Sequence, residues 1–163
     1  MRCTIIGNGP SRKNYILKNI EGITFGCNQI YTEYRPTFLV AQDRHVLERM
    51  SSDRVHTVFV PQERWRLFRN DSRMRHIRNM QPIGQPTTGT TQLLSGHWCM
   101  LLAAQLGFTH MRLMGFDHGP HSLYRAQTDT NTTEVYQCTA DRHEIFKKNL
   151  LKQFADVEIS AYE

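Results

Sequence analysis

Polar side chains stand directly after several apolar runs of this chain: Asn8 after Cys3–Ile6, Asn28 and Gln29 after Ile23–Cys27, Gln42 and Asp43 after Thr37–Ala41, and Asp117 after Met111–Phe116. Neutral amides in such places read a base or a sugar by hydrogen bonding without adding charge. Gly7 and Gly9 flank Asn8 and carry no Cβ, so a backbone can come close to a ligand there. Pro10 suits the start of a helix and Ser11 its cap. The segment is neither a dinucleotide G-x-G-x-x-G nor a P-loop. Farther on, Ser95 and Gly96, or the threonine-rich run 87–91 before them, stand at the start of a long apolar helix. Free N–H groups at that positive end suit a phosphate. A turn or cap explains any one of these residues, whereas the set reads as a nucleotide site.

The elements that position them alternate between strand and helix. Strands are expected at 2–7, 23–27, 37–41, 55–60, 111–116 and 157–161, and helices at 12–19, 44–50, 62–68, 93–106 and 140–154. In the last helix, Ile145, Phe146, Leu150, Leu151 and Phe154 are expected on one side. Strands separated by helices predict an α/β fold, a Rossmann-like three-layer α/β/α sandwich with a mainly parallel sheet. At 163 residues the chain is expected to form a single domain. In a parallel sheet the polar strand ends share one edge, where open α/β sheets bind ligands. Residues 118–139 are polar and aperiodic, and are expected to form a long loop or lid over that edge.

Six arginines (Arg64, Arg66, Arg69, Arg73, Arg75 and Arg78) and one acid, Asp71, fall within fifteen positions of a chain with net charge +5. They read either as a solvated connection or as a surface for nucleic acid or another anionic partner. Cys3, Cys27, Cys99 and Cys138 are widely spaced without a C-x-x-C pair, the pattern of reduced thiols. No apolar run approaches the length of a membrane span, and the start of the chain has no signal-peptide core. A cytoplasmic location is expected.

Gly7-Asn8-Gly9-Pro10-Ser11, the block Cys27-Asn28-Gln29-Ile30-Tyr31, and Ser95-Gly96 followed by Ala103, Ala104, Leu106, Gly107, Phe108 and Gly115-Phe116-Asp117 resemble the bacterial lipooligosaccharide sialyltransferases of glycosyltransferase family 42. The glycine-asparagine-glycine-proline-serine motif also resembles that of hydroxymethylpterin diphosphokinases. The sialyltransferase resemblance implies a CMP-sugar donor such as CMP-sialic acid, no obligatory metal, and a glycan acceptor. It implies contact of Asn8, Asn28, Gln29, Gln42 and Ser95 with the CMP part. Where the family has a tyrosine that steadies the leaving phosphate, this chain has His118, with Tyr124 matching a second such tyrosine. Where the family has its general base, the chain has Cys138, with His143 five residues later.

Glycosyl transfer needs a base for the acceptor hydroxyl and support for a departing phosphate. His121 and His143 are candidates for the first, and Ser95, Tyr124 and His118 for the second. Asp117, His118 and His121 also have the ligand types of a divalent-metal site. Magnesium held through Asp43 or Asp117 would point instead to a metal-dependent diphosphotransferase. A third reading is a catalytically degenerate protein that binds nucleotide or nucleic acid.

Overall fold

The computed structural model describes residues 1–86, 93–117, 123–124 and 132–163, with only the backbone described for 132–140. Among these residues, seven parallel strands form one sheet in the order β5-β4-β3-β2-β1-β6-β7. They are β1 (Arg2–Ile6), β2 (Ile23–Cys27), β3 (Phe38–Val40), β4 (Thr57–Pro61), β5 (Asn79–Ile83), β6 (His110–Met114) and β7 (Glu158–Ala161). The helices are α1 (Arg44–Arg49), α2 (Gln62–Phe68), α3 (Ser95–Gln105) and α4 (Thr132–Gln153). The chain thus has the expected Rossmann-like α/β architecture. Among the described residues, no helix is long and apolar enough to cross a membrane.

The innermost strands are buried on both faces, as parallel strands between two helical layers must be. One face of the sheet presents Cys3, Ile5, Phe25, Val40 and Met111 to α3, with Phe146 and Leu150 of α4 completing that core. The other presents Ile6, Leu39, Val58, Val60 and Met114 to Leu47, Phe68 and Met74. Every residue of α3 from His97 to Ala104 is buried, the behaviour of a helix apolar all round. Each large apolar side chain so placed contributes about 1.5–3 kcal/mol relative to exposure.

Several elements differ from expectation. The predicted helix at 12–19 is two 3-10 turns, Pro10–Asn14 and Leu17–Asn19, with Tyr15 and Ile16 extended between them. The arginine-rich stretch is not a featureless connection. It holds α2, a 3-10 turn at Ser72–Met74 and then β5. β5 escapes a sequence reading because Asn79, Gln81 and Pro82 lack strand character, and Pro82 is tolerated because β5 lies at the sheet edge. Helix α4 begins at Thr132, eight positions before the expected 140, so residues 132–139, expected within a loop, are helical. Ile145 and Leu151, expected on its buried side, are 47% and 40% exposed, whereas His143, Phe146 and Leu150 face inward.

The chain adds β2 to β5 successively on one side of β1, then crosses back to place β6 on the other. That reversal makes the ends of β1 and β6 the switch point of the sheet.

Candidate functional site

At the switch point, the turns after β1 and β6 are zipped together. Gly7 N–H donates to Met114 O at 2.7 Å and Gly9 N–H to Gly115 O at 2.9 Å. A Cβ on Gly7 would lie 2.5 Å from Gly115 O, and one on Gly9 2.0 Å from Asp117 Oδ2. The two glycines therefore admit another part of the chain, a role the sequence reading had reserved for a ligand. Asp117 accepts from the Ser11 N–H at 2.9 Å, so its carboxylate caps the first 3-10 turn. Ser11 is thus the capped residue and not the cap.

Asn8 ties β1 to β2. Its Nδ2 donates to Cys27 O at 2.9 Å, and its Oδ1 accepts from Arg12 Nη1 at 2.7 Å. Asn28 follows immediately with a left-handed φ of 55°, a conformation asparagine tolerates better than other residues with a Cβ. The bend carries its amide to the start of α3, where Nδ2 donates to Ser95 Oγ at 3.3 Å. Gln42, from the end of β3, reaches the same hydroxyl with Nε2 at 3.3 Å and Leu93 O at 3.1 Å. Three strand ends and one helix start thus converge on Asn8, Asn28, Gln42 and Ser95. Gly96 lets α3 sit against Phe116, since a Cβ there would lie 2.8 Å from the ring.

Other expected residues stand apart from this cluster. Gln29 is half-buried in the turn after β2, where its carbonyl accepts from Thr32 Oγ1 at 2.7 Å. Asp43 is exposed at the start of α1, where its carbonyl accepts from the N–H groups of Val46 and Leu47. Asp43 and Asp117 follow strands separated by β2 and β1, roughly 14 Å by strand spacing. No single metal ion could bind both. Among the described residues no group of three or more His, Cys, Asp or Glu side chains is placed to hold a metal. His118 and His121 lie outside the described residues, as do the threonine run 87–91 and the side chain of Cys138.

His143 pairs with a histidine that the sequence reading passed over. The Leu94 N–H donates to His97 Nδ1 at 3.2 Å, and His97 Nε2 lies 2.7 Å from His143 Nδ1. With its Nδ1 accepting, neutral His97 carries its proton on Nε2 and donates it to His143. The Nδ1 lone pair of His143 is engaged in that bond, and the ring is buried behind Phe116. To act as a base through Nδ1, His143 must first release His97. Burial, then the neighbouring His143, Arg142 and Lys147, push His97 down to about 3, so it stays neutral. Its signal in the sequence was its place at the third position of α3, where a side chain can reach back to the helix start.

Tyr124 also reaches the switch point. The Leu123 N–H donates to Asn8 O at 2.8 Å, and the Tyr124 hydroxyl meets both Arg12 and Glu33. Burial, then the hydrogen bond to Glu33, push the phenol up to about 12. Arg12 and Glu33 were likewise missed by the sequence reading, because nothing in their spacing marks them.

No family model matches the chain, and no curated protein matches it in sequence. Solved structures do match. The fold is similar to that of the CstII sialyltransferases. A point mutant of the alpha-2,3/8-sialyltransferase CstII superposes with a TM-score of 0.58 at 15% identity, covering 98% of this chain and 80% of that one. CstII from Campylobacter jejuni in complex with the substrate analogue cytidine-5'-monophosphate gives 0.55 at 15% identity, covering 99% and 85%. The same protein in complex with CMP-3FNeuAc gives 0.51 at 14% identity, covering 99% and 88%. The chain therefore shares its fold with these sialyltransferase structures. The neighbours offer no support for a nucleic-acid partner at the six arginines, which are all exposed. Arg73 is paired there with Asp71 and Glu48, and Arg69 stacks over Trp65.

Proposed function

We propose that this protein is a nucleotide-sugar-dependent glycosyltransferase that takes a CMP-linked donor such as CMP-sialic acid without an obligatory metal. The observation that carries the proposal is the convergence of Asn8, Asn28, Gln42 and Ser95 at the carboxyl ends of β1, β2 and β3, in a fold shared with structures that bind CMP. Three neutral amides and a hydroxyl suit the amide-like edge of cytosine and the ribose hydroxyls, which need donors and acceptors but no counter-charge. Ser95 opens α3, whose positive end favours the donor phosphate.

In the reaction, the glycosidic bond to the phosphate breaks with its electron pair going to the phosphate oxygen, and CMP departs. The acceptor hydroxyl attacks the sugar carbon and gives its proton to a histidine. Tyr124 and His118 support the departing phosphate, and His121 or His143 takes the proton. Room for an acceptor glycan is offered by a cleft of about 420 Å³ on the far side of the switch point, whose lining includes Tyr15, Asp117, Glu144, Lys147 and Tyr162. Carboxylate, ammonium and aromatic surfaces together suit sugar hydroxyls and ring faces.

Calorimetric titration with CMP, UDP, GDP and ATP, each with magnesium and with a chelator, tests this reading. Binding that favours CMP and survives the chelator is expected, followed by slow hydrolysis of a CMP-linked donor. Binding of ATP alone, and only with magnesium, would replace it with the diphosphotransferase.

A further inference from the structure

Arg12 is 3% exposed yet carries a charge that no protein environment removes. Its Nη1 donates to Asn8 Oδ1 at 2.7 Å and to Gly7 O at 3.4 Å, which pins it beneath the turn after β1. Its Nη2 donates to the Tyr124 hydroxyl at 2.8 Å and to Glu33 Oε1. The Tyr124 hydroxyl in turn donates to the same Glu33 oxygen, and the guanidinium lies 5.3 Å from the centre of the Tyr124 ring. One carboxylate oxygen thus receives a guanidinium N–H and a phenol O–H, the donor pair that an oxyanion of a ligand would receive. Glu33 is the part of this triangle best able to leave. It follows the short turn Asn28–Thr32, its side chain is 49% exposed, and its rotation into water would uncover Arg12 Nη2.

We propose that Arg12 and Tyr124 form an oxyanion site which Glu33 fills from within the chain, and that the anionic group of the bound ligand takes the place of Glu33. The site joins the amide cluster through Asn8, which accepts from Arg12 and donates to Cys27 O beside Asn28. The exchange keeps a negative partner on the buried guanidinium in both states, which matters because a buried charge stripped of its partner is strongly destabilising. It also makes Glu33 an internal competitor. If Glu33 holds the site nine-tenths of the time, the apparent affinity for an anion is about tenfold weaker than the open site would give. The assignment of the anion to a nucleotide sugar rests on the function proposed above, whereas the anion site itself does not. Two groups of such a donor have the required chemistry, the phosphate of the nucleotide and the carboxylate of the sugar.

The test is Glu33→Gln, which keeps the shape of the side chain and removes its charge. Inorganic phosphate, CMP, cytidine and free sialic acid are titrated into wild type and variant. Inorganic phosphate is expected to bind the variant about tenfold tighter. A matching gain for CMP with none for cytidine identifies the phosphate as the displacing group, and a gain for sialic acid without one for CMP identifies the carboxylate. Adding Arg12→Met to the variant must erase the gain. Glu33→Ala provides a second uncharged side chain should the glutamine variant fold poorly. Phosphate affinity no higher than wild type in a folded Glu33 variant overturns the proposal, as does a gain that persists without Arg12. Failure of wild type to bind CMP, with the phosphate gain intact, would overturn the nucleotide-sugar reading and leave the anion site standing.

Discussion

Asn28 is where site and scaffold separate most cleanly. Its left-handed φ of 55° costs an ordinary L-residue roughly 1–2 kcal/mol and costs glycine nothing. Its amide makes contacts of 3.3 and 3.4 Å with Ser95 Oγ, near the long limit for such bonds and worth about 1 kcal/mol together. Asn28→Ala therefore loses the amide and takes on strain that asparagine largely escapes, for a total of roughly 2–3 kcal/mol. Asn28→Gly loses the amide, avoids that strain, and gives back roughly 0.5–1 kcal/mol in the greater freedom of its unfolded chain. The glycine variant should be the more stable of the two by about 1 kcal/mol. In urea denaturation at an m-value of about 2 kcal/mol/M, that is a midpoint roughly half a molar higher. Both should lose about tenfold or more in CMP affinity, the equivalent of one good hydrogen bond. An alanine midpoint equal to or above that of glycine would refute the backbone argument. Undiminished CMP affinity in the glycine variant would remove Asn28 from the site.

Gly7→Ala and Gly9→Ala should each lower stability by about 3 kcal/mol, read as a fall in thermal midpoint. In both, the added Cβ meets the Gly115 carbonyl oxygen, at 2.5 Å from Gly7 and 2.6 Å from Gly9, and backbone cannot turn aside as a side chain can. The depressed His97 predicts acid sensitivity. The folded chain binds fewer protons there than the unfolded chain, so this contribution is complete above about pH 6.5 and is lost as pH falls toward about 3. Its size is on the order of several kcal/mol, and stability measured across that window should fall less steeply in His97→Asn, which keeps an acceptor for the Leu94 N–H. Charge reversal at Arg73 and Arg75 should leave CMP affinity unchanged while weakening any anionic polymer that binds the protein. A parallel loss of CMP affinity in the titration would tie that stretch to the nucleotide site.

The alternation of apolar runs with polar stops was enough to establish a parallel α/β sheet and to place the polar strand ends on one edge. Burial on both faces writes itself into the local sequence of β1 and β2 as apolar runs interrupted only by Thr4 and Thr24 past their first residue, and into α3 as a helix without a polar face. Edge strands leave a weaker mark. β5, with Pro82 and the polar Asn79 and Gln81, needs only one partner and so need not look like a strand. The amides at 8, 28 and 42 were legible because each stands within two residues of a strand's end, and their distance in sequence is erased by parallel pairing.

Which of those polar residues meet was decided only by the tertiary fold. Asp43 and Asp117 read alike in sequence, yet strand order sets one at the start of α1 and the other against the Ser11 N–H. The glycines around Asn8 marked a close approach correctly, but the fold chose the turn after β6 as the partner. Arg12 and Glu33 carried no local signal, and nothing local paired His97 with His143. Arg12 meets Glu33 and Tyr124, and His97 meets His143, across 21 to 112 residues, and a buried charge or imidazole is stabilised by what the fold brings to it, which spacing along the chain does not encode.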